Sequence, residues 1–110
     1  MTPKEINIAI ATACGWTDCK LIGEPGCWRA VGDEPGSRHH IPVPDYCGDL
    51  NACAEMEATL SEEECQKYQA LLDDSIREEE LDYPAACYWF HATAPQRCEA
   101  FLRTKGLWRD

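Results

Sequence analysis

Basic residues are scarce in this sequence. Ten lysines and arginines stand against twenty aspartates and glutamates, which gives a formal net charge of −10 at pH 7. A surface of this sign repels nucleic acid and anionic membranes at long range. We therefore expect no direct binding of nucleic acid or membranes, whereas a basic surface on another protein is a suitable partner.

Familiar catalytic and metal-binding spacings are also missing. The sequence has eight cysteines, but no two of them show the C-x-x-C spacing of zinc ribbons and thioredoxin-type pairs. It has no glycine-rich phosphate loop, no G-x-S-x-G motif and no H-E-x-x-H motif. These absences favour a binding protein over an enzyme, and we expect no cofactor and no bound metal.

Long hydrophobic runs are absent as well, so no stretch suits a membrane span. The first apolar stretch, residues 6–14, is short, contains Asn7 and follows Glu5. Because this is a poor signal peptide, the sequence predicts a cytoplasmic protein. The cysteines are then expected to be reduced and to act mostly as small buried hydrophobic residues.

The 110 residues, 45% of them hydrophobic, suit one globular domain that spans residues 1–110. Three helices are predicted to begin at capping boxes, in which a hydroxyl residue precedes Glu or Gln by three positions: Thr2 and Glu5, Ser61 and Glu64, and Thr93 and Gln96. A further helix is predicted to begin near residues 45–49, with an apolar side formed by Leu50, Cys53, Ala54 and Leu60.

Strands are predicted at three places. Residues 16–22 and 27–31 suit a hairpin, because the turn between them is dense in glycine and proline. Residues 39–46 hold two prolines and are expected to be extended and irregular, and residues 85–91 are the third strand candidate. The order α-β-β-α-α-β-α predicts an α+β fold with one small antiparallel or mixed sheet covered by helices.

Two blocks of sequence carry a family resemblance: residues 44–51, PDYCGDLN, and residues 91–103, HATAPQRCEAFLR. With residues 2–7 and the Gly15-Trp16 pair, they make the chain similar to the phage ABA-sandwich domain family of bacteriophages and prophages. The resemblance implies a helix–sheet–helix sandwich in the cytosol of a host cell, and it implies no activity. Residues 23–40 and 61–88 match poorly, so a partner-specific surface is expected in one of them.

The best single site candidate is the start of the last helix. His91 ends the predicted strand, Thr93 follows it, and Arg97 lies one helical turn further on. Free backbone N–H groups and the helix dipole at such a position favour an anion, and Arg97 is placed to reach it. The alternative is structural, with His91 donating to a backbone carbonyl and Thr93 serving as a helix cap.

A second candidate lies at the start of the helix near residues 45–49. Asp45 and Asp49 suit capping and the helix dipole, and a hard cation such as magnesium is the alternative use for them. Tyr46 and Trp28 belong to a set of aromatic residues that either fill the core or stack on a planar ligand. The adjacent histidines His39 and His40 point opposite ways in an extended segment, so we expect a solvated pair.

These observations favour a small acidic phage accessory protein that binds without catalysis, plausibly against host defence. Its partner is either a small anionic ligand, such as a signalling nucleotide, or a basic surface on a host protein. Two alternatives stay open. One is a metal- or His91-dependent enzyme acting on a nucleotide or phosphorylated substrate, and the other is a virion or assembly component.

Overall fold

The computed structural model describes residues 1–37, 39–78 and 92–109 of the chain. These residues form four helices and three strands, in the order α1 Pro3–Ala13, β1 Thr17–Ile22, β2 Arg29–Asp33, β3 His40–Pro42, α2 Leu50–Glu57, α3 Glu62–Glu78 and α4 Ala94–Thr104. The predicted α+β class is confirmed. The observed order, α-β-β-β-α-α-α, differs from the predicted one by the strand β3, which the sequence did not predict. The strand candidate at residues 85–91 lies outside the described residues.

The three strands form one antiparallel sheet in the order β1-β2-β3. The predicted hairpin of β1 and β2 is confirmed, although β2 begins two residues later than expected. In β3, His40, Ile41 and Pro42 pair with Asp33, Gly32 and Val31. A proline donates no ladder hydrogen bond, so a segment holding Pro42 and Pro44 can pair only briefly and at the edge of this sheet.

A bulge interrupts the pairing of β1 with β2. Thr17 pairs with Asp33 and Lys20 pairs with Val31, so β1 has one more residue than β2 between these two pairs. Asp18 takes up the extra residue with a φ of 50°, a left-handed conformation that aspartate tolerates better than most residues. The bulge therefore changes the direction in which the Asp18 side chain points.

Helix α2 begins where the sequence predicted but presents a different face. Asp49 is its N-cap and accepts a hydrogen bond from the backbone N–H of Asn51 at 2.9 Å. The predicted apolar side is wrong at Leu50, which is 57% exposed, and at Ala54, which is exposed. The buried residues are Ala52, Cys53 and Met56. The buried face of α2 therefore differs from the predicted one, and Met56 rather than Leu50 enters the core.

The three predicted capping residues are confirmed. Thr2, Ser61 and Thr93 accept hydrogen bonds from the backbone N–H three residues later, at 3.2, 3.2 and 3.3 Å. The Glu64 and Gln96 side chains accept in return from the backbone N–H of Ser61 and Thr93. These bonds satisfy donors that a helix start leaves open, so local sequence is sufficient to place the helix starts.

The core lies where the helices meet. Helix α1 contacts β1, β2 and α4, while α2 and α3 pack on α4. Tyr68 and Leu72 of α3 are buried. The largest fully buried side chains are Phe101, Ile10, Met56, Leu72, Leu102, Cys53 and Cys98. A second helix layer on the far face of the sheet, as in a helix–sheet–helix sandwich, stays a prediction.

The cysteines of the described residues are free thiols. Seven are in the described ranges, and Cys53 and Cys98 are the buried ones. Cys27 is exposed, so the expectation of mostly buried cysteines holds for part of the set; Cys87 lies outside the described residues. No described helix combines the length and the apolar character that a membrane crossing requires.

We expect the Glu64→Gln variant to show how one ion pair makes stability depend on pH. The Lys105 ammonium lies 2.7 Å from the Glu64 carboxylate, and this contact, with the backbone N–H of Ser61, lowers the pKa of Glu64 to about 2. Since the folded-state pKa lies below the usual value of 4.5, the pair stabilises the fold above that value and the contribution is lost as the pH falls towards 2.

Urea unfolding of wild type and Glu64→Gln between pH 7 and pH 2 measures this effect. The difference in unfolding free energy between the two proteins should be constant near neutral pH and should shrink below pH 4.5. Glu62→Gln, at an exposed carboxylate one residue into α3, is the matched control. A difference that stays constant down to pH 2 would contradict the assignment.

Candidate functional site

The predicted site at the start of α4 is occupied by helix-capping contacts in the described residues. The Thr93 N–H donates to Gln96 Oε1 at 2.8 Å, and the Gln96 N–H donates to Thr93 Oγ1 at 3.3 Å. His91 lies outside the described residues, so its part in an anion site stays a prediction. The Thr93 hydroxyl has the structural role that the alternative interpretation assigned to it.

Arg97 joins three helices. Its guanidinium donates to Glu57 Oε2 at 3.0 Å and to the backbone carbonyl of Ala92 at 3.1 Å, and its side chain is 12% exposed. The Tyr68 hydroxyl donates to the same Glu57 oxygen at 2.7 Å, and burial followed by this hydrogen bond raises the pKa of Tyr68. Glu57 of α2 therefore accepts from both Arg97 of α4 and Tyr68 of α3, and this network links the three helices.

The second predicted group, Asp45, Tyr46 and Asp49, forms a turn held by α1. Asn7 of α1 is buried; its amide donates to Asp45 Oδ1 at 3.2 Å and accepts from the Cys47 N–H at 3.1 Å. Tyr46 is 2% exposed, so it is a core residue, and burial raises the pKa of its hydroxyl. Asp49 caps α2. These contacts give the three residues structural roles.

The two predicted groups approach each other at Cys53. Its thiol lies 3.1 Å from the carbonyl oxygen of Tyr46 and 3.9 Å from that of Ala94 at the start of α4. Cys98 is also close: hydrogen bonds with the thiols of Cys47 and Cys53, together with burial, raise the pKa of Cys98. Cys98 therefore stays protonated and behaves as the small hydrophobic residue that the sequence predicted.

A more open site lies at the turn of the hairpin. Gly23, Glu24, Cys27, Trp28 and Arg29 line a cleft of about 520 Å³, which we call the Trp28 groove. Trp28 also lines a second cleft of about 370 Å³, formed with Leu21 and residues 2–5 at the start of α1. The Trp28 side chain is 41% exposed. An aromatic side chain between two clefts is placed to contact a planar group.

Local backbone chemistry explains why Trp28 is presented in this way. Gly23 has a φ of 120°, and a Cβ atom there would lie 2.4 Å from the carbonyl oxygen of Cys27. The Cys27 N–H donates to the Glu24 carbonyl at 2.8 Å, which closes the turn. The Lys4 ammonium of α1 donates to the Trp28 carbonyl, so α1 fixes the backbone beside the indole. The turn is therefore tied to the rest of the domain.

Each cleft beside Trp28 is lined by one basic and one acidic side chain. Arg29 and Glu24 line the groove itself, and Lys4 and Glu5 line the neighbouring cleft. Leu21 and Ile22, each 39% exposed, add apolar surface beside them. The sequence expected a partner-specific surface within residues 23–40 or 61–88, and the Trp28 groove lies within the first of these stretches.

A second cleft near the C-terminal end of the described chain offers a contrast. It has a volume of about 350 Å³ and is lined by Trp108, Arg109, Leu107, Gly106, Ala9 and Thr12. Here the Arg103 guanidinium lies 5.5 Å from the centroid of the Trp108 ring. One face of Trp108 is therefore covered by a cation of the protein itself, which makes this cleft a useful control for the Trp28 groove.

The strongest cluster of metal-ligating side chains in the described residues lies at the opposite end of the hairpin. Asp18, Asp33 and His40 each offer one ligand atom, and these atoms all lie within 4.8 Å of one another. The sequence predicted a solvated His39–His40 pair; the structure instead places His40 in β3, beside both aspartates. Nothing in the sequence predicted this cluster, because it depends on the pairing of β3 and on the Asp18 bulge.

Comparison with protein-family models, with curated proteins and with solved structures found no match. The resemblance to the phage ABA-sandwich domain family therefore stays a prediction from the sequence. The geometry of the described residues is what remains to support a function.

Proposed function

We propose that this protein acts by binding a small anion that carries a planar aromatic ring, of the nucleotide class, in the Trp28 groove. The observation that supports the proposal is the half-exposed indole of Trp28 between two clefts, with Arg29 and Lys4 beside it. The proposal keeps the ligand expected from the sequence and moves its site from the start of α4 to the hairpin.

The groups that line the groove match the three parts of such a ligand. Stacking of a base on an aromatic side chain contributes about 1–3 kcal/mol. The Arg29 guanidinium offers paired N–H donors of the kind that recognise phosphate oxygens. The Glu24 carboxylate is an acceptor for the exocyclic amino group of a base. The volume of the Trp28 groove, about 520 Å³, lies within the range of ordinary small-molecule sites.

The overall acidity of the protein helps to select the ligand. With a net charge of −10, most of the surface repels an anion, so that binding depends on direct contacts with Arg29 and Lys4, each of which has an acidic neighbour, Glu24 or Glu5, in the same cleft. A long nucleic acid would also meet the acidic surface beyond the groove, whereas a mononucleotide or dinucleotide would not. Sequestration of a signalling nucleotide, as a phage accessory protein would perform against host defence, requires a site of this kind and no catalytic group.

We expect the Trp28→Ala variant to bind adenosine and guanosine monophosphates at least about fivefold more weakly than wild type, as loss of one stacking contact predicts. Arg29→Ala should also bind these nucleotides more weakly than wild type. The difference in affinity between the two proteins should grow as the salt concentration falls, because the contribution of Arg29 is electrostatic. Isothermal titration calorimetry with each nucleotide, extended to cyclic dinucleotides, measures both effects.

The matched control is Arg109→Ala, which alters the cleft beside Trp108 and should leave the affinity unchanged. Native mass spectrometry of the purified wild type adds a direct test, because a tightly held nucleotide copurifies with the protein. The proposal is refuted if wild type binds none of these nucleotides, or if Trp28→Ala and Arg109→Ala bind them equally well.

A second candidate function is supported by helix α3. Glu62, Glu63 and Asp74 are exposed on this helix, which gives it a negative surface. Such a surface suits the basic face of a host protein, as the sequence analysis expected. Charge reversal at Glu62 and Glu63 to lysine should abolish capture of a basic host protein and leave nucleotide binding unchanged. Capture lost in Trp28→Ala instead would assign the contact to the groove.

A further inference from the structure

We propose that Asp18, Asp33 and His40 form a binding site for one divalent cation of the first transition series. One residue comes from each strand: Asp18 from β1, Asp33 from the end of β2 and His40 from the start of β3. This site is separate from the Trp28 groove, because it lies at the open end of the hairpin and the groove lies at its turn.

The distances within the cluster suit cation binding. His40 Nε2 lies 3.1 Å from Asp18 Oδ2, and His40 Nδ1 lies 3.0 Å from Asp33 Oδ1. Imidazole and carboxylate ligands bind zinc-like cations at about 2.0–2.2 Å, which separates neighbouring ligand atoms by about 3 Å. The two carboxylates face different ring nitrogens, so a cation bound at one nitrogen requires the carboxylate beside the other nitrogen to turn towards it; one ligand atom of each residue already lies within 4.8 Å of the others.

The protons of His40 cannot satisfy both carboxylates when the ring is neutral. A neutral imidazole has one N–H donor and one bare nitrogen, while each ionised carboxylate oxygen is an acceptor. One of the two contacts near 3 Å then places two lone pairs opposite each other, which either a second proton on the ring or a bound cation would relieve. Among the described residues, the half-exposed Lys20 ammonium lies 3.8 Å from Asp18 Oδ2.

Asp33 provides a second, independent observation. Its Oδ1 atom is inaccessible to solvent and accepts no hydrogen bond of normal geometry from the described residues, although His40 Nδ1 is close to it. A buried carboxylate oxygen without a donor is unfavourable by about 1–3 kcal/mol or more. A bound cation beside the His40 ring would remove this cost by neutralising the oxygen.

The backbone holds Asp18 in position for this role. Asp18 occupies the bulge of β1 with a φ of 50°, where backbone strain of about 1 kcal/mol or more is expected for a residue other than glycine. Without the extra residue, the strand alternation would place the Asp18 side chain on a different face from its present one. The bulge is therefore what brings Asp18 to His40.

The ligand set indicates the class of cation. Two carboxylates and one imidazole suit manganese, iron, cobalt or zinc, whereas magnesium and calcium prefer oxygen ligands throughout. The Asp18 and His40 side chains are 59% and 42% exposed, so coordination positions beyond the three protein ligands face solvent. We use Mn²⁺ as the first probe, because its weak preference for sulfur limits competition from the cysteines.

The experiment is a titration of the full chain with Mn²⁺, followed by electron paramagnetic resonance, with His40→Gln and Asp33→Asn as test variants. Wild type is expected to bind one Mn²⁺, and loss of a ligand is expected to weaken binding at least about tenfold. The matched control is His39→Gln, which removes the neighbouring exposed histidine and should bind like wild type. Circular dichroism of every variant verifies that the fold is intact.

Two further readouts decide where the cation binds. Mn²⁺ should broaden the backbone amide resonances near residues 18, 33 and 40 before all others, in wild type and in Trp28→Ala alike. Co²⁺ should give a spectrum without thiolate-to-cobalt charge transfer. No binding of either cation, equal binding by His40→Gln and His39→Gln, or a thiolate band with broadening near the cysteines would each overturn the proposal. None of these outcomes bears on nucleotide binding in the Trp28 groove.

Discussion

The Phe101→Ala variant is expected to be about 3–5 kcal/mol less stable than wild type. Phe101 lies on α4, its side chain is 0% exposed, and it belongs to the same core cluster as Ile10 and Leu72. Truncation removes buried apolar surface and leaves a cavity where α1, α3 and α4 meet, and both effects destabilise the fold. For a domain of typical stability, a loss of this size is a large part of the total.

Equilibrium unfolding in urea, monitored by circular dichroism, measures this loss. Leu107→Ala is the control on the segment after the same helix, because Leu107 is 45% exposed and its truncation should change stability by less than about 0.5 kcal/mol. Equal effects of the two substitutions would mean that α4 does not carry the centre of the core.

The Arg97→Ala variant is expected to lose about 2–3 kcal/mol, because it removes a hydrogen-bonded ion pair and leaves a partly buried carboxylate at Glu57. Tyr68 would then donate alone to that carboxylate. In the double variant Arg97→Ala and Glu57→Ala, the loss should be clearly smaller than the sum of the two single losses, since neither charge remains unpaired.

Urea unfolding of the four proteins gives the coupling energy between Arg97 and Glu57. Glu99→Ala, which breaks an exposed i,i+4 pair with Arg103 at 3.2 Å, provides a scale for a surface contact and should cost less than about 1 kcal/mol. Losses that simply add would show that the pair does not act as a unit. The same variants should bind Mn²⁺ like wild type, because neither residue belongs to the cluster of Asp18, Asp33 and His40.

The helix starts were predictable because their chemistry is local. Thr93 and Gln96 satisfy each other's backbone donors within one turn, so a four-residue pattern is enough to identify the start of α4. The exposed position of Leu50 was not predictable in this way. Leu50 and Met56 compete for one core, and which of them is buried depends on how α2 packs against α4 rather than on spacing within α2.

The candidate sites show the same division between local and long-range information. The glycine-rich turn was visible in the sequence, and Trp28 was among the residues considered for stacking, but its exposure follows from the packing of α1 beside the hairpin. The cluster of Asp18, Asp33 and His40 depends on the register of two strand pairs and on one inserted residue. A shift of one residue in the register of either strand pair would place these side chains on opposite faces of the sheet. The spacing of the three residues along the chain therefore does not predict the cluster.

The two hydrogen bonds of Asn7 have a consequence for how the chain can be altered. They join α1 to the turn at residues 45–47. The intervening chain, which includes the whole described sheet, therefore forms a loop whose two ends are held together. The entropy of closing such a loop grows slowly, by about 0.6 kcal/mol for each doubling of its length. Longer connections within this loop should therefore cost little, whereas changes in β1 and β2 are limited by their packing against α1.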